Sequence, residues 1–232
     1  MSVPKLLYFD IPGKAEAIRL CFTYAGIPFE DYRFKDREEF LAMKTSGKLV
    51  FGQVPALEVE DVILTQSTAI LRYVAKLKAE SALYPADPIL AARVDAICDQ
   101  ESDAFMGLRV AKYKGRFGFK FLEDDKFKEQ LDDTLANLNS EVIPRHLDAL
   151  VAALKAGGTD WLAGTKGPSI ADFCWAPVLK GIHEGKFTGD AKVLDAFPDL
   201  VAFLHKFYTL PAIAEYYKDT PETIDFSAKG RA

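Results

Sequence analysis

Three short clusters carry the residue types that could do chemistry. Tyr8 stands where an apolar pair, Leu6-Leu7, runs towards a loop, Asp10-Ile11-Pro12-Gly13, and the end of a buried strand facing a loop is a usual place for active groups in α/β proteins. Packing is the commoner fate of a strand tyrosine, so Tyr8 alone decides nothing. Gln53-Val54-Pro55 opens a second candidate strand. Pro55 has no N–H for a sheet ladder, so at a strand start it marks an edge or turn, where an X–Pro bond can be cis and Val54 offers its own N–H and C=O outward. Gln66 and Ser67 precede the helical stripe Ile70, Leu71, Val74 and Leu77. Ser67 can therefore cap a helix whose N-terminus favours a carboxylate or phosphate. Together these clusters describe a groove for an extended, peptide-like anion; a hairpin and capped helix with no ligand is the plainer alternative.

A scaffold must bring the clusters together. Residues 5–10 read as a buried strand, 13–25 as a helix with Ala17, Ile18, Leu20, Cys21 and Tyr24 on its apolar face, and 28–34 as a second strand. Gly26 stops the helix, and strand–helix–strand implies a parallel crossover. A short irregular or helical piece near 38–44 and the hairpin and helix of 54–78 complete a βαβ-ββα unit over residues 1–80. Two prolines, Pro85 and Pro88, make residues 81–88 a linker, because the residue before each is pushed out of helix. Only helical patterns follow, near 89–112, 124–156, 170–184, 198–208 and 211–218. Pro144 and Pro177 fall inside two of these and predict kinks or breaks. Ser169 and Asp172 have the spacing of a capping box. The expected fold class is α/β plus all-α, with the helical domain over 89–219. A tail over 220–232, poor in apolar residues, is expected to wrap the surface or to be disordered.

Composition narrows the function. With 232 residues, 49% of them hydrophobic and 12% aromatic, the chain can bury a full core in one large domain or two smaller ones. A net charge of −5 argues against a nucleic-acid surface, and the basic stretch 113–120 reads as a solvated helix end or loop. No apolar run approaches the roughly 20 residues that span a bilayer, and Met1-Ser2-Val3-Pro4 leads into a strand, so cytoplasmic placement is expected and a membrane is not. Cys21, Cys98 and Cys174 form no C-x-x-C pair and read as small core hydrophobes. His146, His183 and His205 lie far apart, and metal dependence is not expected.

The combination of a tyrosine ending the first strand, then Gln53-Val54-Pro55, then Thr65-Gln66-Ser67 before a helix resembles the glutathione-binding domain of cytosolic glutathione transferases. Among them it is most similar to the tyrosine-type enzymes, sigma class first and mu or pi next, over about residues 3–218. The resemblance implies a thioredoxin-like N-terminal domain and an all-helical C-terminal domain. It also implies that glutathione is the co-substrate, that Tyr8 donates a hydrogen bond to its sulfur, and that a hydrophobic electrophile is the second substrate. A free cysteine thiol titrates at about 8.5 and its thiolate is the nucleophile, so the anion must be stabilised. Each unit of depression is worth about 1.4 kcal/mol, and a charge-assisted hydrogen bond supplies about 1.5–3 kcal/mol, so one phenol suffices for one to two units.

By the same resemblance, Val54 before a cis Pro55 pairs through its backbone with the cysteinyl part of glutathione. Gln66 and Ser67 hold the γ-glutamyl carboxylate, Gln53 adds a contact beside them, and Lys44 pairs with the glycine carboxylate. Asp103 reaches the γ-glutamyl amine across a homodimer interface, and Phe51 is an aromatic key in the partner. Ile11, Met106, Val110, Tyr113 and Tyr208 line the acceptor pocket. Two positions depart from the family: Phe40 replaces a tryptophan and cannot donate a hydrogen bond to the glycyl end, and Lys14 replaces an arginine and lacks its planar fork. The expected activity is conjugation in detoxification, with isomerase or peroxidase activity of a prostaglandin-D-isomerase kind beside it. A non-catalytic, crystallin-like relative is the alternative.

Overall fold

The computed structural model describes residues 2–78, 80, 82–119, 126–187, 189–219 and 226. Strand β1 (Lys5–Phe9), helix α1 (Glu16–Ala25) and strand β2 (Glu30–Phe34) form the first crossover, with α2 (Arg37–Thr45) following. A hairpin, β3 (Ala56–Val59) and β4 (Val62–Thr65), leads into α3 (Ser67–Leu77). The sheet order is β2-β1-β3-β4, with β1 and β2 parallel and the other pairs antiparallel. This is the βαβ-ββα arrangement expected of a thioredoxin-like domain. One face of the sheet packs on α1 and α3 through Leu6, Leu57, Ile18, Phe22, Ile70 and Val74, the other on α2 through Leu7, Phe34, Ala56 and Phe40.

All remaining labelled elements are helices: α4 (Pro88–Ala104), α5 (Met106–Lys112), α6 (Lys126–Asn137), α7 (Ile143–Gly157), α8 (Ile170–His183), α9 (Pro198–Tyr208) and α10 (Pro211–Tyr216). The pattern over 89–112 predicts one helix, but Phe105, at φ −107° and ψ 9°, separates α4 from α5 and turns its ring into the core beside Trp175. A π-turn, Leu138–Val142, precedes Pro144 at the start of α7, which is the break that proline predicts; residues 124–125 of the expected segment lie outside the described ones. Pro177 breaks nothing, since α8 runs through it with most of its residues buried. Packing on α1, α4 and α9 holds that helix continuous through a position its own backbone disfavours.

The two halves are stitched together around α8. Its Phe173 packs edge-on against Tyr24 of α1, and its Trp175 donates an indole N–H to the Ile97 carbonyl of α4 at 2.8 Å. The Asp172 carboxylate accepts the Ser169 N–H at 2.7 Å and the Ser169 hydroxyl at 3.0 Å, and its other oxygen accepts the Leu162 N–H at 2.9 Å. Burial nevertheless pushes Asp172 up to about 6. Cys21 and Cys98 are buried and Cys174 half-buried, all as free thiols. Among the described residues no helix is long and apolar enough to cross a membrane, and no group of three or more His, Cys, Asp or Glu is placed to hold a metal ion.

Candidate active site

Strand register alone brings the three sequence clusters together. Leu7 pairs with Ala56 and Ala56 with Thr65, so these residues form one row across β1, β3 and β4. One step beyond that row stand Tyr8, Pro55 and Gln66, because β3 runs opposite to its two neighbours. Adjacent strands lie about 4.8 Å apart, so the three positions line one end of the sheet like rungs. The Val54–Pro55 bond is cis, Pro55 is buried and Val54 is half-exposed beside it.

At the α3 end of this row the local structure departs from expectation. Gln66, not Ser67, is the N-cap of α3, no side chain caps that end, and Ser67 is the first helical residue. Gln66 holds φ +70° and ψ 114°, an unusual backbone for a residue with a Cβ, and such strain gathers where function requires a fixed geometry. The Gln66 side chain is exposed, and the helix N-terminus behind it presents free N–H groups to an anion.

Tyr8 is buried in the sheet with its hydroxyl against the turn that starts α1. The Lys14 N–H donates to the phenolic oxygen at 3.1 Å. The oxygen is thereby an acceptor from the protein while its own proton is left to donate elsewhere, and accepting one hydrogen bond polarises the O–H for the next. Burial raises the phenol above its ordinary value, and the Lys14 N–H and the Arg19 guanidinium act the other way. Tyr8 is therefore a neutral donor at neutral pH.

Lys14 reaches away from this hydrogen bond. Its ammonium pairs at 2.5 Å with Glu101 of α4, which also accepts from Arg109 of α5 at 3.0 and 3.2 Å. Glu101 is almost fully buried, so the chain of contacts Tyr8–Lys14–Glu101–Arg109 spans from the sheet to the helical half. Beside it, Ile11, Met106 and Tyr113 are more than half exposed and Val110 is half-buried. Tyr113 is near enough to Tyr8 to oppose its ionisation.

Other expected positions fall differently. Tyr208 is fully buried among Phe207, Tyr217 and Phe226, so it belongs to the core and not to an open acceptor wall. An aromatic near a chain end is a weak signal for exposure, and here three rings close over it. Phe40 packs its ring 5.0 Å from Phe9 and 5.8 Å from Phe34, supporting the strand that carries Tyr8. Lys44 is exposed on α2, with its stem folded over Gly52 in the loop that leads to Gln53. Asp103 is exposed on α4 and near enough to His146 to influence its titration. Glu101, Arg19 and Glu16, none of them singled out from the sequence, are buried charged groups linked to Tyr8 through Lys14 and the first loop, with half-buried Arg109 beyond Glu101; only their three-dimensional surroundings set them apart from surface charges.

The sequence matches the family models for the glutathione S-transferase N-terminal domain over residues 4–76 and the C-terminal domain over 116–220. It is 34% identical over 219 residues to the hematopoietic prostaglandin D synthase of Gallus gallus, across 94% of this chain and 97% of the relative. This chain belongs to the glutathione S-transferase family. A glutathione S-transferase 1 of Ascaris suum is 38% identical over 222 residues, with 94% and 97% covered. Among solved structures, that of rat hPGDS complexed with a quinoline superposes at a TM-score of 0.75 with 29% identity, over 97% of this chain and 100% of that one. The glutathione S-transferase fold accounts for both halves of the molecule, and the row Tyr8, Pro55, Gln66 lies within its N-terminal domain.

Proposed function

We propose that this enzyme is a tyrosine-type, sigma-like glutathione transferase in which the Tyr8 hydroxyl donates a hydrogen bond to the glutathione sulfur and favours thiolate over thiol. The observation that carries the proposal is the Lys14 N–H at 3.1 Å on the Tyr8 oxygen, which engages that oxygen as an acceptor and supports a reading in which its hydrogen goes to the substrate. In this reading residues 1–80 hold glutathione along the sheet end, with Val54 on the cysteinyl backbone, Gln66 and Ser67 on the γ-glutamyl carboxylate, Gln53 beside them and Lys44 towards the glycine carboxylate. The acceptor, a hydrophobic electrophile, enters over Ile11, Met106, Val110 and Tyr113 from the helical domain of residues 89–219. The sulfur attacks the electrophilic carbon directly, with no covalent protein intermediate, and proximity in the groove supplies much of the rate. We place the enzyme in the cytoplasm as a two-fold homodimer in which Asp103 completes the partner's glutathione site; the exposure of Val50 and Phe51 before the cis proline supports an interface there.

Isomerisation is the second reading, favoured by the likeness to prostaglandin D synthases; it uses the same activated thiolate. Conjugation to a chlorodinitrobenzene-type electrophile, measured against pH for the intact protein and Tyr8→Phe, tests the first. The mutant should lose about 10- to 100-fold in kcat/KM at neutral pH as the thiol pKa returns one to two units upward. Equal thiol pKa values in the two proteins would remove Tyr8 from the mechanism. Parallel assay on a prostaglandin endoperoxide separates the isomerase from the conjugating enzyme.

A further inference from the structure

We propose that Arg19 is a positioning residue for Tyr8, holding the turn whose N–H meets the phenol and placing a buried positive charge under its ring. The proposal rests on Tyr8 being the donor to the thiol. Arg19 lies on α1 and is wholly buried. A guanidinium taken out of water must be matched by acceptors, so where its donors go is where it exerts force. One terminal nitrogen donates to the carbonyls of Ile11 at 3.0 Å and Pro12 at 3.1 Å and to Glu16 at 3.1 Å. The inner nitrogen bridges both Asp31 oxygens of β2 at 3.0 and 3.1 Å.

The two carbonyls belong to the residues immediately before Gly13 and Lys14. Fixing them fixes the backbone from which the Lys14 N–H reaches Tyr8. The guanidinium carbon lies 5.8 Å from the centre of the Tyr8 ring. A positive charge there acts against the rise that burial causes in the phenol, and so makes its hydroxyl a stronger hydrogen-bond donor to a sulfur anion. The far side of the cluster is braced as well: Tyr217, just past α10, donates its hydroxyl to Glu16, and Arg33 clasps Asp31 at 2.8 Å and Asp10 at 2.6 Å. The residue that follows α10 thus bears on the first loop through one acid. Lysine could keep the charge, but a single ammonium cannot serve two carbonyls and two carboxylates from one plane.

The test compares Arg19→Lys with the parent by thiolate absorbance of bound glutathione against pH and by the pH profile of kcat/KM. Loss of positioning should raise the thiol pKa by about 0.5–1 unit and lower kcat/KM about 3- to 10-fold at neutral pH, with glutathione affinity kept. In a Tyr8→Phe background the same substitution should move neither quantity, because its route runs through Tyr8. Superimposable profiles for Arg19→Lys and the parent overturn the proposal, as does an equal penalty in the Tyr8→Phe background. Should Arg19→Lys not fold, Tyr217→Phe loosens one arm of the cluster without changing its charge and should raise the thiol pKa; no rise would also overturn the proposal. A Tyr8→Phe protein with an unchanged thiol pKa instead removes the underlying assignment of Tyr8.

Discussion

Gly13 faces the Tyr8 phenol so closely that a methyl group on its α-carbon would stand 2.5 Å from the phenolic oxygen and 2.8 Å from a ring carbon. Gly13 also sits at φ +46°, where a Cβ is strained whatever the space. Gly13→Ala must therefore push Tyr8 off its hydrogen bond. We expect a loss of about 1–3 kcal/mol in stability together with a thiol pKa displaced towards that of Tyr8→Phe. Urea unfolding and the thiolate titration read the two effects separately.

Replacing Glu101 by Gln should act on the same titration with the opposite sign. The substitution removes one negative charge from between Lys14 and Arg109, leaving the neighbourhood of the thiol more positive and its pKa lower. Stability should fall by about 1–2 kcal/mol, a figure held down because Lys14 is well exposed to solvent. A raised thiol pKa in this variant would contradict the electrostatic account.

Asp172 gives the fold a pH slope of its own. Its carboxyl titrates near 6 in the folded protein against 3.8 ordinarily, a rise of about two units caused by burial. Between those values the unfolded chain has already released its proton and the folded one has not, so this group's contribution to stability declines as pH rises from about 4 to 6 and is constant above. Asp172→Asn lacks the slope. The stability of the parent relative to this variant should drop by up to about 3 kcal/mol across that window in urea unfolding.

Gln66→Gly separates strain from binding. Glycine accepts φ +70° freely, so thermal stability should hold or rise by up to about 1 kcal/mol. Glutathione affinity should weaken, as the side chain assigned to the γ-glutamyl end is gone. Calorimetric titration and a melting curve on one sample measure both; unchanged affinity would take the Gln66 side chain out of the site.

How far the molecule was legible in its sequence depends on whether a residue's partners are near it in the chain. Strand and helix order followed from apolar spacing, and Pro55 announced an irregular strand start through its missing N–H. The alignment of Tyr8, Pro55 and Gln66 needed only an antiparallel hairpin beside the first strand. Ser67 looked like a cap because serine is a good one, yet the turn out of β4 put Gln66 in that place. Glu101 and Asp103 are indistinguishable acids in Asp99-Gln100-Glu101-Ser102-Asp103 until the helix is rotated against the first domain, which buries one and exposes the other. Arg19 was hidden more deeply, since its acceptors are two backbone carbonyls and an acid on another strand. Pro177 gave a kink or a break as its signal, and no break follows because the local backbone rule was outweighed by packing on several sides of α8.

The enzyme's own sulfurs complete the picture. Cys21 and Cys98 sit in the core, where burial pushes Cys21 far up and a hydrogen bond with the Cys174 thiol, followed by burial, does the same to Cys98, so neither supplies a thiolate at physiological pH. A catalyst that gathers electrophiles beside an activated thiolate courts suicide inactivation, and this one withholds two of its three cysteines from alkylation by the very molecules it processes.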